Sequence, residues 1–337
     1  MSELKATITA VGHYVPENVL TNAELEKMVM TTDEWIVTRT GIRERRIQKK
    51  GATSDLACRA AQAALHDRGI GADEVDLIIV ATVTPDMIFP ATACLVQTKL
   101  GAKKAWGFDL SAACSGFLYA LNAGSRFIES GAHKKVLVIG ADKMSAITDY
   151  TDRNTCILFG DAAAAVLLEP SQEKEFGILD QVMYCDGSGA EALNMKGGGS
   201  LHPPTHETID KHMHYVYQDG KTVFKKAVVS MADVAAEIME RNHLSGSDVG
   251  WLVPHQANLR IIDATAKRMG IDSSKVMINI GKYGNTTAAT IPLCLSEWWR
   301  NGLLKRGQNV VLATFGAGYT WGATFIRWSL ANPAERT

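Results

Sequence analysis

The sequence predicts an α/β fold built from two similar halves. Short apolar runs alternate with longer helical stretches, the pattern of sheets covered by helices. One sequence register also recurs 174 residues later, with Val75 answered by Val249. The length of 337 residues suits two such units.

The strands come first. Residues 77–82 (LIIVAT), 136–139 (VLVI), 276–280 (VMINI) and 310–314 (VVLAT) are short and mostly β-branched, which predicts buried strands. Helices are predicted over 54–67, where Leu56, Ala60 and Ala64 recur every fourth residue before Gly69, and over 115–130, stopped by Gly131. Three more follow at 224–242, at 258–269 before Gly270, and at 286–301 before Gly302. The repeat is carried by IGADEVDLIIV (70–80) and LSGSDVGWLVP (244–254). Its register sends Cys114 to Ala288, each at a predicted helix start, and Val136 to Val310, each opening a strand. Two copies are too few for a solenoid. The polar stretch EPSQEKE (169–175) marks the join, giving halves 1–172 and 173–337, with a site expected where equivalent helix starts meet. One segment departs from the pattern: 186–220 is long, rich in Gly, Pro and His, and contains KGGGSLHPPTH. A loop of that length is functional or mobile.

Composition narrows the function. Hydrophobic residues make up 46% and charged residues 21%, as in ordinary globular chains. The formal charge is −1, so no global basic field recruits nucleic acid. The apolar runs are shorter than a membrane helix, and the N-terminus lacks the order of a signal peptide. Six scattered cysteines without a CxxC pair suit reduced thiols, and a cytoplasmic location is expected.

Three segments carry candidate chemistry. In LSAACSGF (110–117), small residues lead into Cys114 at a helix start, where unpaired N–H groups and the macrodipole favour a thiolate. A single cysteine is ordinarily a small buried hydrophobe, and the other five are read that way. WLVPHQAN (251–258) puts His255 at the mouth of a helix, and GKYGNTT (281–287) presents Asn285 in a Gly-rich turn. Alone, the histidine would read as structural and the asparagine as turn chemistry. All three, however, sit at the C-terminal ends of predicted strands, where open α/β sheets build their sites. FGAGYTWG (315–322) invites a dinucleotide reading, but the third glycine is missing and the next segment, ATFIRWSL (323–330), reads as a strand. His202, His206, His212 and His214 show metal-like spacings without a supporting carboxylate pattern, so no metal site is expected there.

SAACSGF, HQAN, YGNTT and FGAGYTWG together resemble the β-ketoacyl-[acyl carrier protein] synthase III family of the thiolase-like superfamily, along nearly the whole chain. The resemblance implies a five-layered αβαβα fold of two similar halves. It implies an acyltransferase that condenses an acyl-CoA primer, acetyl-CoA above all, with malonyl-[acyl carrier protein], losing CO₂ and initiating fatty acid synthesis. Cys114 would accept the acyl group, His255 and Asn285 would handle decarboxylation, and the N–H groups of Cys114 and Ala317 would form an oxyanion hole. Donors suit that task because the enolate oxygen gains negative charge, which an acidic residue at 285 would repel.

The resemblance implies further contacts. In TTDEWIVTRTGIRERR (31–46), Thr31, Trp35 and Arg39 would meet coenzyme A, with Arg153 joining Trp35 around the adenine and Asn258 meeting pantetheine. An indole and a guanidinium can sandwich a base, and the neighbouring Arg43, Arg45 and Arg46 offer cations for phosphates. Lys225, Gln256, Arg260 and Lys267 would face the acidic carrier protein. Met87, Phe89 and Leu193 would shape the acyl pocket, with Phe89 crossing into the partner subunit of a homodimer. No cofactor beyond the acyl-CoA substrate is expected. A homologous synthase with another acyl donor or acceptor is the nearest rival. Elongating synthases carry a second histidine where Asn285 stands, thiolases place a second cysteine in the site, and intact Cys114, His255 and Asn285 argue against a non-catalytic acyl-CoA-binding protein.

Overall fold

A computed structural model describes residues 4–333. The first sheet contains β1 (Ala6–Tyr14), β2 (Leu77–Ala81), β3 (Trp106–Leu110), β4 (Val136–Asp142) and β5 (Ala162–Pro170), in the order β1-β5-β4-β2-β3. The second contains β6 (Gly177–Cys185), β7 (Trp251–Pro254), β8 (Asn309–Gly316) and β9 (Thr320–Arg327), in the order β6-β9-β8-β7. Both repeat one scheme. β2 runs parallel to β4 as β7 does to β8, and the remaining strands add antiparallel. The first sheet alone has an extra edge strand, β3, parallel to β2. The segment expected as a strand after FGAGYTWG is one over 323–327, within β9, which begins earlier at Thr320.

The helices that build the layers are α1 (Asp33–Thr40), α2 (Thr53–Arg68), α3 (Thr92–Leu100), α4 (Gly116–Glu129), α5 (Gly220–Arg241), α6 (Leu259–Met269) and α7 (Thr290–Arg300). Strand alternation decides what they cover. Leu77, Ile79, Val136 and Val138 point to one side of the first sheet and pack with Phe117 and Leu121 of α4. Val310 and Leu312 of the second sheet turn to the same core, which also holds Ile291 and Leu295 of α7. The opposite faces, with Ile78 and Val80 in one sheet and Val311 and Ala313 in the other, are covered by α2 and α3 and by α5 and α6. The result is helix, sheet, helix pair, sheet, helix: the five-layered αβαβα fold. Both central strands are buried on both faces, which explains their nearly continuous apolar runs.

The predicted strand at 276–280 is not one. Only a single bridge joins Val276 to Leu252, and the chain then enters a short helix at Ile280–Tyr283. The reason lies in Gln256. Its carboxamide donates to the Met277 carbonyl at 3.0 Å and accepts the N–H groups of Asn279 and Ile280 at 3.1 and 3.2 Å. Those are backbone groups a neighbouring strand would otherwise pair.

The 186–220 excursion carries short elements of its own, including a two-stranded pair (Leu193–Asn194 with Tyr217–Gln218) and a helical turn at His206–Asp210. Val216 N–H donates to the Ile147 carbonyl at 2.8 Å, and His212 Nδ1 lies 2.8 Å from the Asp149 carboxylate, so the excursion is fastened to the first half. Among the described residues, no group of three or more His, Cys, Asp or Glu side chains is placed to hold a metal ion. None of the described helices is long and apolar enough to cross a membrane.

Candidate active site

The turns Ala113–Ser115 and Thr287–Ala289 occupy equivalent places in the two halves, at the offset of 174 that the sequence predicts, and each leads into a central helix. The second turn lies so close on β4 that a Cβ on Gly140 would fall 2.3 Å from the Ala288 carbonyl oxygen. Gly316 is required for the same reason: a Cβ there would lie 2.9 Å from the backbone nitrogens of Cys114 and Ser115. The second half also grips the Cys114 turn through side chains. Thr314 hydroxyl donates to the Cys114 carbonyl at 3.0 Å, Thr320 hydroxyl to that of Ala112 at 3.2 Å, and Ser115 hydroxyl to that of Thr320 at 3.0 Å.

A cavity of ≈ 500 Å³ opens at this junction. Cys114, His255 and Asn285 line its buried end together with Thr287, Phe315 and Ala317. The three candidates come from three different segments. Cys114 precedes α4, His255 follows β7 directly, and Asn285 follows the short Ile280–Tyr283 helix rather than a strand. Asn285 is nevertheless pinned, because its N–H donates to the Leu158 carbonyl at 2.8 Å and its carbonyl accepts from Gly160 at 3.1 Å.

Electrostatics corrects one expectation. Burial, reinforced by the Asp142 carboxylate, pushes the Cys114 thiol up to about 12, while a hydrogen bond from the Asn285 side chain pulls the other way. The start of α4 favours a thiolate, and burial opposes it. Burial also lowers His255 to about 3, so its ring is neutral. His255 Nδ1 lies 2.8 Å from the Thr290 hydroxyl, which leaves Nε2 as the nitrogen free to serve the cavity.

At the exposed end, Trp35 stands in α1 between two guanidinium groups, Arg39 at 4.5 Å and Arg153 at 5.4 Å from its ring centroid. The Thr32 hydroxyl caps this helix by accepting the Trp35 N–H. Thr31 keeps a buried hydroxyl without a hydrogen-bond partner. Asn258 ties the rim together, donating to the Arg39 carbonyl at 2.8 Å and accepting from Arg260 N–H at 2.9 Å. Arg260 stacks over Phe224, and Lys225 and Lys267 are exposed on α5 and α6. Arg260 and Lys267 are two helical turns apart, hence on one face. The sequence did not single out Lys221, Met195, Val216 or Phe315, which also line the cavity.

Two expectations are overturned. Gln256 is fully buried with its carboxamide spent on backbone groups, so it offers no surface to a carrier protein. Arg45 is no phosphate contact either: its guanidinium is buried and donates to the Leu20 and Ile157 carbonyls and to Asn22. Burial lowers it to about 10. Leu193 lines the cavity, but Met87 and Phe89 do not line that of their own chain, standing 47% and 82% exposed on the loop before α3.

A duplicated αβαβα fold with a helix-start thiol facing an imidazole and a carboxamide defines a thiolase-like condensing enzyme, an acyltransferase. Comparison with known proteins makes this specific. Residues 108–187 match the family described as 3-oxoacyl-[acyl-carrier-protein (ACP)] synthase III, and residues 239–328 match its C-terminal part. The beta-ketoacyl-[acyl-carrier-protein] synthase III of Chlorobium luteolum is 62% identical over 96% of this chain and 100% of its own length. The crystal structure of 3-oxoacyl-[acyl-carrier-protein] synthase III from Aquifex aeolicus VF5 superposes with a TM-score of 0.88 at 46% identity, covering 96% of this chain and all of that one. Its counterpart from Pseudomonas aeruginosa PAO1 gives 0.89 at 40%, covering 98% and 100%. The chain belongs to the β-ketoacyl-[acyl carrier protein] synthase III family.

Proposed function

We propose that the chain primes type II fatty acid synthesis by joining an acyl group from acyl-CoA, acetyl-CoA first among them, to malonyl-[acyl carrier protein]. The observation that carries this reading is the single cavity that runs from the Trp35–Arg39–Arg153 cradle to the buried Cys114, His255 and Asn285. Coenzyme A enters with its adenine at Trp35 and its pantetheine past Asn258. Cys114 Sγ attacks the thioester carbonyl, its proton leaves with the departing CoA thiol, and an acyl-Cys114 remains. The oxyanion of this step is held by backbone N–H groups of Cys114 and Ala317. Carrier protein then docks on the Lys225, Arg260 and Lys267 face and delivers the malonyl thioester. Loss of CO₂ leaves an enolate whose oxygen accepts from His255 Nε2 and Asn285 Nδ2. Its carbon attacks acyl-Cys114, the C–S bond breaks, and the β-ketoacyl product departs. No cofactor takes part. The working form is a cytoplasmic homodimer in which Phe89 enters the partner's acyl pocket.

Two half-reactions test the roles. With labelled acyl-CoA, Cys114→Ala loses covalent capture, whereas His255→Ala and Asn285→Ala keep it and lose about 10²–10³-fold in CO₂ release from malonyl carrier protein. Capture by Cys114→Ala, or undiminished CO₂ release by Asn285→Ala, would overturn the assignment.

A further inference from the structure

Asp142 closes β4, a strand otherwise made of buried apolar residues and glycine, with a fully buried carboxylate. Burying such a group is costly, and a hydrophobic side chain would fill the space without that cost. Its partners explain its presence. Oδ1 accepts from the Thr82 hydroxyl at 3.0 Å, Val83 N–H at 2.8 Å, and the Thr84 hydroxyl at 2.9 Å. Oδ2 turns to the other half, accepting the Thr287 hydroxyl and, at 3.4 Å, Ala288 N–H. One carboxylate thus ties the loop after β2 to the turn that follows Asn285.

Thr287 is held in an unfavourable conformation, with φ at +50°, a region that β-branched residues avoid. In that conformation its N–H donates to Asn285 Oδ1 at 2.9 Å. The carboxamide is therefore anchored by its oxygen, which leaves its NH₂ for the cavity, and that end reaches Cys114. Without the anchor, Thr287 relaxes towards negative φ, its N–H leaves Oδ1, and Asn285 can present an acceptor where the enolate needs a donor.

We propose that Asp142 is a positioning residue which, through Thr287, fixes the Asn285 carboxamide with its NH₂ towards the reacting thioester oxygen. This rests on the donor role of Asn285 proposed above. The test compares Thr287→Val, which keeps the shape and removes the hydroxyl, with Thr287→Ser, which keeps the hydroxyl. Each full-length, folded variant is assayed for acyl capture and for CO₂ release from malonyl carrier protein. Thr287→Val should lower kcat for CO₂ release by about 10²-fold with KM little changed, the scale of one lost oxyanion donor. Capture should stay within about twofold of wild type, since acylation has its own backbone donors. Thr287→Ser should recover CO₂ release. Wild-type CO₂ release in Thr287→Val, or an equal loss of both half-reactions, overturns the proposal. Should Thr287→Val fail to fold, Asp142→Asn gives the same two readings with the same meaning. Asn285→Ala run alongside separates the levels: if it lowers CO₂ release and the Thr287 and Asp142 variants do not, only the positioning role falls. If Asn285→Ala releases CO₂ normally, the donor role itself falls and the positioning role with it.

Discussion

The Thr290 hydroxyl lies 2.8 Å from His255 Nδ1 and 3.0 Å from the Thr287 carbonyl. That carbonyl already accepts the Thr290 N–H, so the single hydroxyl hydrogen can go to Nδ1 without leaving a group unpaired. With the hydroxyl hydrogen turned to Nδ1 in this way, rather than to the Thr287 carbonyl, the ring's own hydrogen would sit on Nε2, the donor proposed for the enolate. Thr290→Val removes this control and should lower CO₂ release by about 10-fold or more while sparing acyl capture; Thr290→Ser should restore it. The measurement is the pair of half-reaction rates, with ¹⁵N shifts of the His255 ring reporting the tautomer. A wild-type ring that carries its hydrogen on Nδ1 would sink this assignment.

The buried thiol gives a pH prediction. With Cys114 pushed up to about 12, alkylation by iodoacetamide should rise about tenfold per pH unit from 6 to 10 without a plateau. A plateau below pH 9 would show a pre-formed thiolate. The linkage runs in the same sense. The unfolded chain ionises near the ordinary value of 9.0 while the folded site keeps its proton, so this group's share of stability is lost as pH rises from there towards 12. His255 behaves oppositely. Held at about 3 against an ordinary 6.5, it makes folding less favourable as pH falls below about 6.5, which thermal melts across that range should register.

Much of this was legible locally, and the failures share one cause. The buried strands announced themselves because both of their faces are apolar, and the duplication survived as a register that placed Ala113–Ser115 against Thr287–Ala289. Cys114, His255 and Asn285 were readable because each sits in a distinctive short turn. The strand at 276–280 was misread because Gln256, some twenty residues upstream in sequence, takes its backbone groups. Arg45 looked like one of a run of surface cations because nothing nearby in sequence reveals the Ile157 carbonyl beneath it. The tie between Asp142 and Thr287 spans more than a hundred residues of sequence. An acid ending the VLVIGAD strand was the available signal for it.

The basic face should act on encounter rather than chemistry. Lys225, Arg260 and Lys267 are exposed, and exposed charges are screened by salt over about 8–10 Å. Lys225→Glu with Lys267→Glu should raise KM for malonyl carrier protein and weaken its salt dependence, leaving the rate of self-acylation from acyl-CoA in place. A matching fall in self-acylation would remove these lysines from the docking role.

Phe89 carries the last prediction. It stands 82% exposed beside Ile88 at 79%, a large apolar pair that a monomer would leave in water. It does not line the cavity of its own chain, so any effect it has on acyl choice must be exerted on another subunit. Edge strand β3 of the first sheet, with Trp106 half-exposed on it, offers a continuing row of backbone groups for a second copy. Sedimentation should therefore give a dimer. Phe89→Ala should let longer acyl-CoA primers label Cys114, read by intact mass, while acetyl capture persists. An unchanged acyl preference in a dimeric, folded Phe89→Ala enzyme would take this residue out of the pocket, and a monomeric wild type that labels normally would dispose of the shared pocket altogether.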